Sequence, residues 1–199
     1  MIVVIDYNVG NLTSVIKALR HIGAEVAVTQ NPAELAKADR IVLPGVGHFA
    51  ATRFLEKRGL TSAIRAGIAA GVPFLGICVG LQWLFAGSTE APGIPGLAVF
   101  PECCDRFTSG KKVPHVGWNS LAIRPESRLL AGIRNNSFAY FTHSYRAPVT
   151  DVTVAVTDYA EPFAAAVEQN NIMGVQFHPE KSGETGLRVL RNFLEWRPC

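Results

Sequence analysis

The chain has 199 residues, of which 48% are hydrophobic, and we expect a single domain over residues 1–199. Its 19 basic and 16 acidic residues are interspersed and give a net charge of +3, so the dense basic surface of a nucleic-acid-binding protein is missing. No apolar run approaches the roughly 20 residues that a membrane-spanning helix needs. Residues 2–5 follow the initial methionine without a basic leader. We therefore expect a soluble cytoplasmic protein with neither nucleic-acid nor membrane partners.

The first 80 residues alternate between short apolar runs and segments with helical periodicity. Strands are predicted over residues 2–5, 25–29, 41–43 and 72–77, and helices over residues 12–22, from residue 32 and over residues 60–68. Helix boundaries are marked by Gly23, by Asn31 before Pro32, and by Gly71. This alternation predicts an α/β fold in which a mostly parallel central sheet carries helices on both faces.

The second half of the chain has a different pattern, with short strand-like segments and turns. These segments are residues 97–100, 116–123, 138–142, 152–157, 163–168 and 172–177. Asn170 and Asn171 predict a hairpin turn, and apolar residues from Leu187 to Leu194 predict a closing helix. Because no repeat or linker is present, we expect extra short β-strands that flank the main sheet.

Cys78 is the candidate nucleophile. It follows a predicted strand directly and precedes a predicted helix over residues 79–85, with Gly76 and Gly80 two residues away on either side. Glycines at those positions permit a strained strand-to-helix turn without side-chain collision. We expect Cys78 to be exposed at the tip, where the helix N-terminus favours the thiolate. The alternative is a small apolar residue buried at the end of a core strand.

A cysteine nucleophile needs a base and a group that orients the base, and His178 and Glu180 can supply both. They are two positions apart, which places both side chains on one side of an extended segment, and Pro179 stiffens the link. The alternative is a strand-end histidine beside a solvated glutamate. For the oxyanion, the Val79 amide is one candidate donor, and a second would come from Val46 or Gly47.

Metal or cofactor chemistry is not expected. His21, His48 and His115 are scattered without the spacing of zinc ligands. The chain has four cysteines without C-x-x-C spacing, namely Cys78, Cys103, Cys104 and Cys199. Since the chemistry above needs one of them free, we expect a reducing compartment.

Residues 76–82 and 178–180 resemble the motifs of the class I, triad-type glutamine amidotransferases. Five further stretches resemble the glutaminase subunits of imidazole glycerol phosphate synthases, which serve histidine biosynthesis: residues 6–12, 44–47, 114–119, 141–145 and 178–182. Asn8 stands where glycine is common in that pattern, and Leu81 stands where methionine is common. The resemblance implies a flavodoxin-like fold and hydrolysis of glutamine to glutamate and ammonia through a cysteinyl thioester.

The resemblance also implies which residues bind glutamine: Gly45, Gln82, Glu90, His143, Ser144 and Tyr145. A carboxylate such as Glu90 suits the α-ammonium group of the substrate. Each of three residues has a plainer alternative. Gln82 would be the polar face of a helix, Glu90 a solvated loop charge, and His143 a hydrogen-bonded strand histidine.

In the family, ammonia passes to a cyclase subunit, so the resemblance implies a heterodimer. Asn11, Ser14 and Lys17 share one face of the first helix at positions i, i+3 and i+6. Trp118, Tyr140 and Lys181 are candidates for the same interface, with Trp118 in the core as the alternative. We also expect the loop at residues 44–47 to control activity by turning one peptide.

Three other functions remain open from the sequence. The chain could be the glutaminase of another pathway, which the motifs around Trp118 and Tyr145 disfavour. It could also be a cysteine peptidase or γ-glutamyl hydrolase with the same turn at the nucleophile. A non-catalytic binding module is disfavoured by the intact Cys78, His178 and Glu180.

Overall fold

The computed structural model describes residues 1–108 and 110–197, and the predicted alternation of strands and helices is confirmed there. The strands are β1 (Ile2–Ile5), β2 (Val26–Thr29), β3 (Arg40–Leu43), β4 (Phe74–Ile77), β5 (Gly87–Ser88), β6 (Cys103–Arg106), β7 (His115–Ser120), β8 (Ala122–Ile123), β9 (Phe138–His143), β10 (Tyr145–Arg146), β11 (Thr153–Tyr159), β12 (Glu161–Gln169) and β13 (Ile172–Val175). The α-helices are α1 (Leu12–His21), α2 (Pro32–Leu35), α3 (Arg53–Lys57), α4 (Leu60–Ala69), α5 (Val79–Gln82) and α6 (Gly183–Glu195). Single 3-10 turns cover Phe49–Thr52 and Pro179–Lys181.

In the described part of the chain, eight strands form the central sheet in the order β2-β1-β3-β4-β13-β12-β11-β8. The pairs from β2 to β13 are parallel, and those from β13 to β8 are antiparallel. The strands β1, β3, β4 and β13 are buried throughout, and their sequences are apolar apart from Arg40 at the start of β3. The sheet is therefore mostly parallel at its centre, with an antiparallel extension built by the second half of the chain.

Helices lie on both faces of this sheet. The helix α1 connects β1 to β2, a step in one direction across the sheet. The helix α4 connects β3 to β4, a step in the opposite direction. Since parallel crossovers are right-handed, these two helices cover opposite faces. The strand order reverses at β1, and the loops after β1, β3, β4 and β13 meet at one carboxyl edge, where ligands bind in folds of this kind.

Two local predictions are wrong. Residues 97–100 are irregular, because the amides of Leu97, Ala98 and Val99 donate to carbonyls of the segment after α5 instead of to a neighbouring strand. The helix after Cys78 is a single turn, Val79–Gln82, which ends where the chain bends into that same segment.

Other second-half strands and the Asn170 hairpin are confirmed, with Asn170 at φ 53°. The two-stranded ribbon β7-β9 and the three-stranded sheet β10-β6-β5 lie outside the central sheet. Among the described residues, no helix is long and apolar enough to cross a membrane.

Candidate active site

The turn between β4 and α5 gives Cys78 an unusual backbone conformation. Its φ is 55° and its ψ is −106°, and its amide donates to the Val175 carbonyl at 2.7 Å. A Cβ at Gly76 would collide with the Gly80 carbonyl, and one at Gly80 would collide with the Leu43 carbonyl. The predicted glycine spacing thus serves close backbone approach, and it forces the nucleophile into a conformation that L-residues seldom adopt.

The expectation that Cys78 is exposed is wrong, because only 3% of the residue is accessible. Residues of β9 cover it, and its Sγ lies 4.0 Å from the Thr142 carbonyl oxygen. The sulfur instead faces a cavity of about 220 Å³. Enclosure of this kind keeps bulk water from a reactive intermediate.

His178 and Glu180 form a buried pair beside the cysteine. The His178 Nδ1–H donates to Glu180 Oε1 at 2.8 Å, and their side chains are 1% and 0% exposed. The His178 backbone amide donates to the Tyr140 carbonyl at 2.9 Å, so β9 fixes the position of the imidazole. In the described part of the chain Nε2 has no hydrogen-bond partner, which leaves this nitrogen available to exchange a proton.

The pKa of His178 is raised to about 10. Burial alone lowers it, but the neighbouring Cys78 sulfur and the Glu180 carboxylate both stabilise the protonated ring and outweigh burial. This electrostatic arrangement favours a protonated imidazole beside the sulfur. It is the state that a cysteine nucleophile needs before attack.

Asn11, which we predicted to lie at the partner interface, contacts this buried pair. Its Nδ2 donates to Glu180 Oε1, and it lies 3.5 Å from His178 Nδ1. The residue has φ 71°, a left-handed conformation that asparagine tolerates, directly before α1. The loop after β1 therefore positions the carboxylate that orients the imidazole.

The loop after β3 occupies the position of the expected oxyanion donors. The Val79 amide donates to the Gly45 carbonyl oxygen at 3.4 Å. Since a trans peptide points its C=O and N–H in opposite directions, the Val46 N–H points away from Val79. Gly45 has no room for a side chain, because a Cβ there would collide with the Tyr7 hydroxyl, whereas Gly47 has φ 103° and open space. Neither the Val79 amide nor the Val46 amide is free for an oxyanion in this conformation, whereas Gly47 lines the cavity.

The cavity brings together most of the predicted substrate residues. Its lining residues are Gly47, Cys78, Val79, Gln82, Glu90, Pro114, Thr142, His143, Ser144 and Tyr145. Glu90 Oε2 accepts from the Phe49 amide at 2.7 Å, which ties it to the loop after β3. The Glu90 side of this pocket is therefore supported by a backbone amide. Gly45 and Val46 are not among its lining residues.

His143 is held by a directional chain of hydrogen bonds. Its Nδ1–H donates to the Tyr145 carbonyl at 2.9 Å, so its Nε2 accepts from His115 Nδ1–H at 3.2 Å. His115 Nε2 in turn accepts from the side-chain Nδ2 of Asn119 at 3.4 Å. The His115 ring stacks on Tyr159, with centroids 4.0 Å apart. Both ring nitrogens of His143 thus form hydrogen bonds within the chain, as expected for a hydrogen-bonded strand histidine.

The remaining predicted interface residues lie on the surface near the triad. Trp118 is 55% exposed, so the core alternative is wrong, and Val116 and Phe138 are 57% exposed each. The Tyr140 ring meets Trp118 edge to face at 6.1 Å and lies 5.8 Å from Lys181 Nζ. Ser14 and Lys17 line a second, open cavity of about 480 Å³ that reaches Glu180.

No group of three or more His, Cys, Asp or Glu side chains within residues 1–108 and 110–197 is arranged to hold a metal ion. Cys78, Cys103 and Cys104 are free, and Cys199 lies outside the described residues.

A family profile described as glutamine amidotransferase class-I matches residues 3–196. A solved structure described as "Crystal structure of glutamine amidotransferase" has the same fold, with a TM-score of 0.77 over 97% of each chain and 20% identity. PurLQS from Thermotoga maritima gives a TM-score of 0.76 over 97% of this chain and 96% of the other at 19% identity. The chain belongs to the class-I glutamine amidotransferase family.

Similar proteins indicate one particular subunit family within this class. "Imidazole glycerol phosphate synthase subunit HisH" of Methanothermobacter thermautotrophicus is 51% identical over 196 residues, or 98% of each chain. The protein of the same name from Thermococcus kodakarensis is 48% identical, covering 97% of this chain and 98% of the relative. That of Caldanaerobacter subterraneus subsp. tengcongensis is 44% identical over 100% of both. Within the class, the chain is a member of the HisH subunit family.

The free energy of unfolding should decrease as the pH is lowered, because His143 and His115 are held neutral in the folded chain. Burial lowers the pKa of His143 to about 3 and that of His115 to about 4. The unfolded chain binds these protons near pH 6.5, so the free energy of unfolding decreases as pH drops from about 6.5 to about 4, by at most about 1.4 kcal/mol per pH unit for each ring.

Urea unfolding at steps between pH 7 and pH 4 measures this slope. The His115→Gln variant should have a shallower slope than the parent, whereas the exposed His21→Gln variant should keep it. Equal slopes in the parent and the His115→Gln variant would contradict the assignment.

Proposed function

We propose that the chain hydrolyses glutamine to glutamate and ammonia, and that it delivers the ammonia to a cyclase subunit that makes imidazole glycerol phosphate and an aminoimidazole carboxamide ribotide in histidine biosynthesis. The observation that carries this proposal is the strained Cys78 turn beside the buried His178-Glu180 pair, facing a small polar cavity. Membership of the HisH subunit family supports the pathway, and we propose the whole chain as one domain.

The reaction follows from the geometry. The Cys78 proton moves to His178 Nε2, and the sulfur attacks the side-chain amide carbon of glutamine. His178 then protonates the departing nitrogen as ammonia, which leaves a glutamyl thioester. Water, deprotonated by His178, attacks the thioester and releases glutamate and the free thiol. Glu180 keeps Nδ1 protonated throughout and stabilises the imidazolium.

The walls of the cavity suit glutamine. The Glu90 carboxylate lines the same cavity as Cys78, on a separate loop, and provides a negative group for the α-ammonium. The lining residues 142–145 are Thr142, His143, Ser144 and Tyr145, all of which carry polar side-chain groups. We propose that Ser144 and Tyr145 contact the substrate directly, while Gln82 and His143 shape the wall through their bonds to the Tyr145 carbonyl.

We propose that the cyclase binds the surface formed by Trp118, Tyr140 and Lys181 together with Asn11, Ser14 and Lys17. Large exposed apolar side chains next to a catalytic edge mark an interaction surface. Lys181 lies near the aromatic pair of Trp118 and Tyr140, and its positive charge would help to orient the partner. The same surface adjoins Glu180 through the cavity that Ser14 and Lys17 line, which supports a partner bound close to the triad.

The loop after β3 is the proposed control element. Turning the Gly45–Val46 peptide would remove a carbonyl from Val79 and present the Val46 N–H in its place. One such donor is worth about 3 to 4 kcal/mol in the transition state. A partner that favours the turned peptide would therefore raise the rate by about two to three orders of magnitude.

The test of function is glutamate release from glutamine, with and without the proposed cyclase partner and its ligand. Cys78→Ser should lower the rate by about 10⁴-fold or more while partner binding is unchanged, because the thiolate is the reacting group. Glu180→Ala should lower the rate of glutamate release less than His178→Ala does, since water can partly replace an orienting group.

Glutamate release by the Cys78→Ser variant at the parent's rate would contradict the proposed mechanism. Hydrolysis of peptides or γ-glutamyl peptides in preference to glutamine would favour the peptidase or hydrolase alternative.

Trp118→Ala should weaken association with the cyclase by about 2 kcal/mol, or roughly thirtyfold, because it removes a large aromatic anchor. Its melting temperature should change little, since the ring is more than half exposed. Titration calorimetry and a thermal scan measure the two effects. Val28→Ala, on the far edge strand β2, is the matched control and should leave the affinity unchanged. A lower melting temperature with the parent's affinity would contradict the interface.

Val46→Gly should raise the activity of the isolated chain. Turning a peptide changes φ of the following residue by about 180°, and Val46 has a negative φ in the present conformation. A positive φ costs an L-residue about 1 to 2 kcal/mol, so removing this cost should raise glutamate release without cyclase by roughly 5- to 30-fold.

The stimulation by cyclase should shrink by the same factor, and Val46→Ala should behave like the parent. Gly45→Ala is unsuitable as a test, since the new methyl group would collide with the Tyr7 hydroxyl. If the Val46→Gly chain is folded and its basal rate equals that of the parent, this peptide is not the switch.

A further inference from the structure

Gln176 contacts the reacting sulfur although none of the expected site residues lies at this position. The residue directly follows β13, its backbone amide donates to the Ala165 carbonyl at 2.8 Å, and it is fully buried. Its side-chain Nε2 donates to Cys78 Sγ at 3.6 Å. A buried carboxamide thus has one end on the nucleophile, in a region with little access to water.

The direction of that carboxamide is determined by its neighbours. Gln82 Nε2 donates one hydrogen to the Tyr145 carbonyl at 2.8 Å, and a carbonyl can only accept. The second hydrogen of Gln82 Nε2 goes to Gln176 Oε1 at 3.1 Å. The oxygen end of Gln176 must therefore face Gln82, and its NH₂ end must face the sulfur. The opposite orientation would bring two NH₂ groups together and place an oxygen against Cys78.

A thiolate at this position needs such a donor. Cys78 is 3% exposed, so water stabilises a negative sulfur poorly, and the nearby Thr142 carbonyl oxygen presents negative density at 4.0 Å. His178 supplies the opposite charge but also has to accept and return a proton during the reaction. A neutral donor that does not titrate stabilises the anion without entering that exchange.

We propose that Gln176 is a further catalytic residue, whose carboxamide donates a hydrogen bond to the Cys78 thiolate, and that Gln82 is a positioning residue that fixes its orientation. The proton of the thiol still moves to His178 Nε2, and no atom of Gln176 is transferred. For its role in turnover the proposal rests on the proposed glutaminase function, whereas the hydrogen bond itself does not. The effect is to enlarge the thiolate population before attack.

The test is alkylation of Cys78 by iodoacetamide across pH 5 to 10 in the full chain, followed by peptide mass spectrometry. The thiolate attacks the methylene carbon, an S–C bond forms and iodide leaves, so the rate follows the thiolate fraction. Gln176→Glu keeps the acceptor for Gln82 but offers the sulfur no hydrogen. Hydrogen bonds to charged groups predict that the midpoint of the profile moves up by about one to two pH units.

At a fixed pH below the midpoints of both chains, this shift means roughly 10- to 100-fold slower alkylation of Cys78. Gln176→Met removes the hydrogen bond without adding a charge and should give a shift of this size, whereas the Gln176→Glu carboxylate also repels the thiolate and should give at least as large a shift. Gln82→Met should give a smaller one. The exposed Cys103 is an internal control whose profile should be identical in every variant. Circular dichroism establishes which variants are folded.

Alkylation uses neither glutamine nor a cyclase, so its outcome is independent of the proposed function. If the midpoint at Cys78 is unchanged in folded Gln176→Glu or Gln176→Met, the proposal is overturned. It is also overturned if the Cys103 profile moves together with that of Cys78, because a general change in structure would then explain the result. Recovery of glutamate release at alkaline pH in Gln176→Met would support it further.

Discussion

The close packing of α5 against the end of β3 is the constraint on which the site depends. Gly80 lies against the Leu43 carbonyl, so the chain must turn within one residue after β4, and that residue is Cys78. Its backbone conformation costs on the order of 1 to 3 kcal/mol. Leu43 and Ile77 are almost completely buried on the two adjacent strands, and packing of these strands offsets the strain. The nucleophile is therefore held in place by the core of the sheet.

The parallel pairing of β4 with β13 completes the site. Ile77 pairs with Val175, so both strands end at the same level and the residues after them emerge side by side. Gln176 and Cys78 are 98 positions apart in sequence, yet they touch for this reason. His178 follows two residues later on the same segment. A shift of register by one residue would turn these side chains to the other face, so the register of buried strands defines the catalytic contacts.

The sequence predicted those features that local pattern determines. The turn at Cys78 was recognisable from two glycines and an apolar run, and His178 and Glu180 from their spacing. The contacts of Asn11 with Glu180 and of Gln176 with the sulfur depend on strand register, which no local pattern contains. Gln176 shares the two-residue alternation of His178 and Glu180, and that was the available signal. Residues 97–100 were mispredicted because tertiary hydrogen bonds to the segment after α5 override their β-propensity.

The ribbon β7-β9 links the proposed interface to the nucleophile. Trp118 and Tyr140 are paired across it at the surface, while Thr142 further along β9 lies over Cys78. The Tyr140 carbonyl holds the His178 amide, and Asn119 begins the hydrogen-bond chain that ends at Tyr145. Since the two strands pair with each other and not with the central sheet, the ribbon can move without breaking a ladder of the core. A partner that packs on Trp118 therefore acts on the element that encloses the sulfur and positions its base.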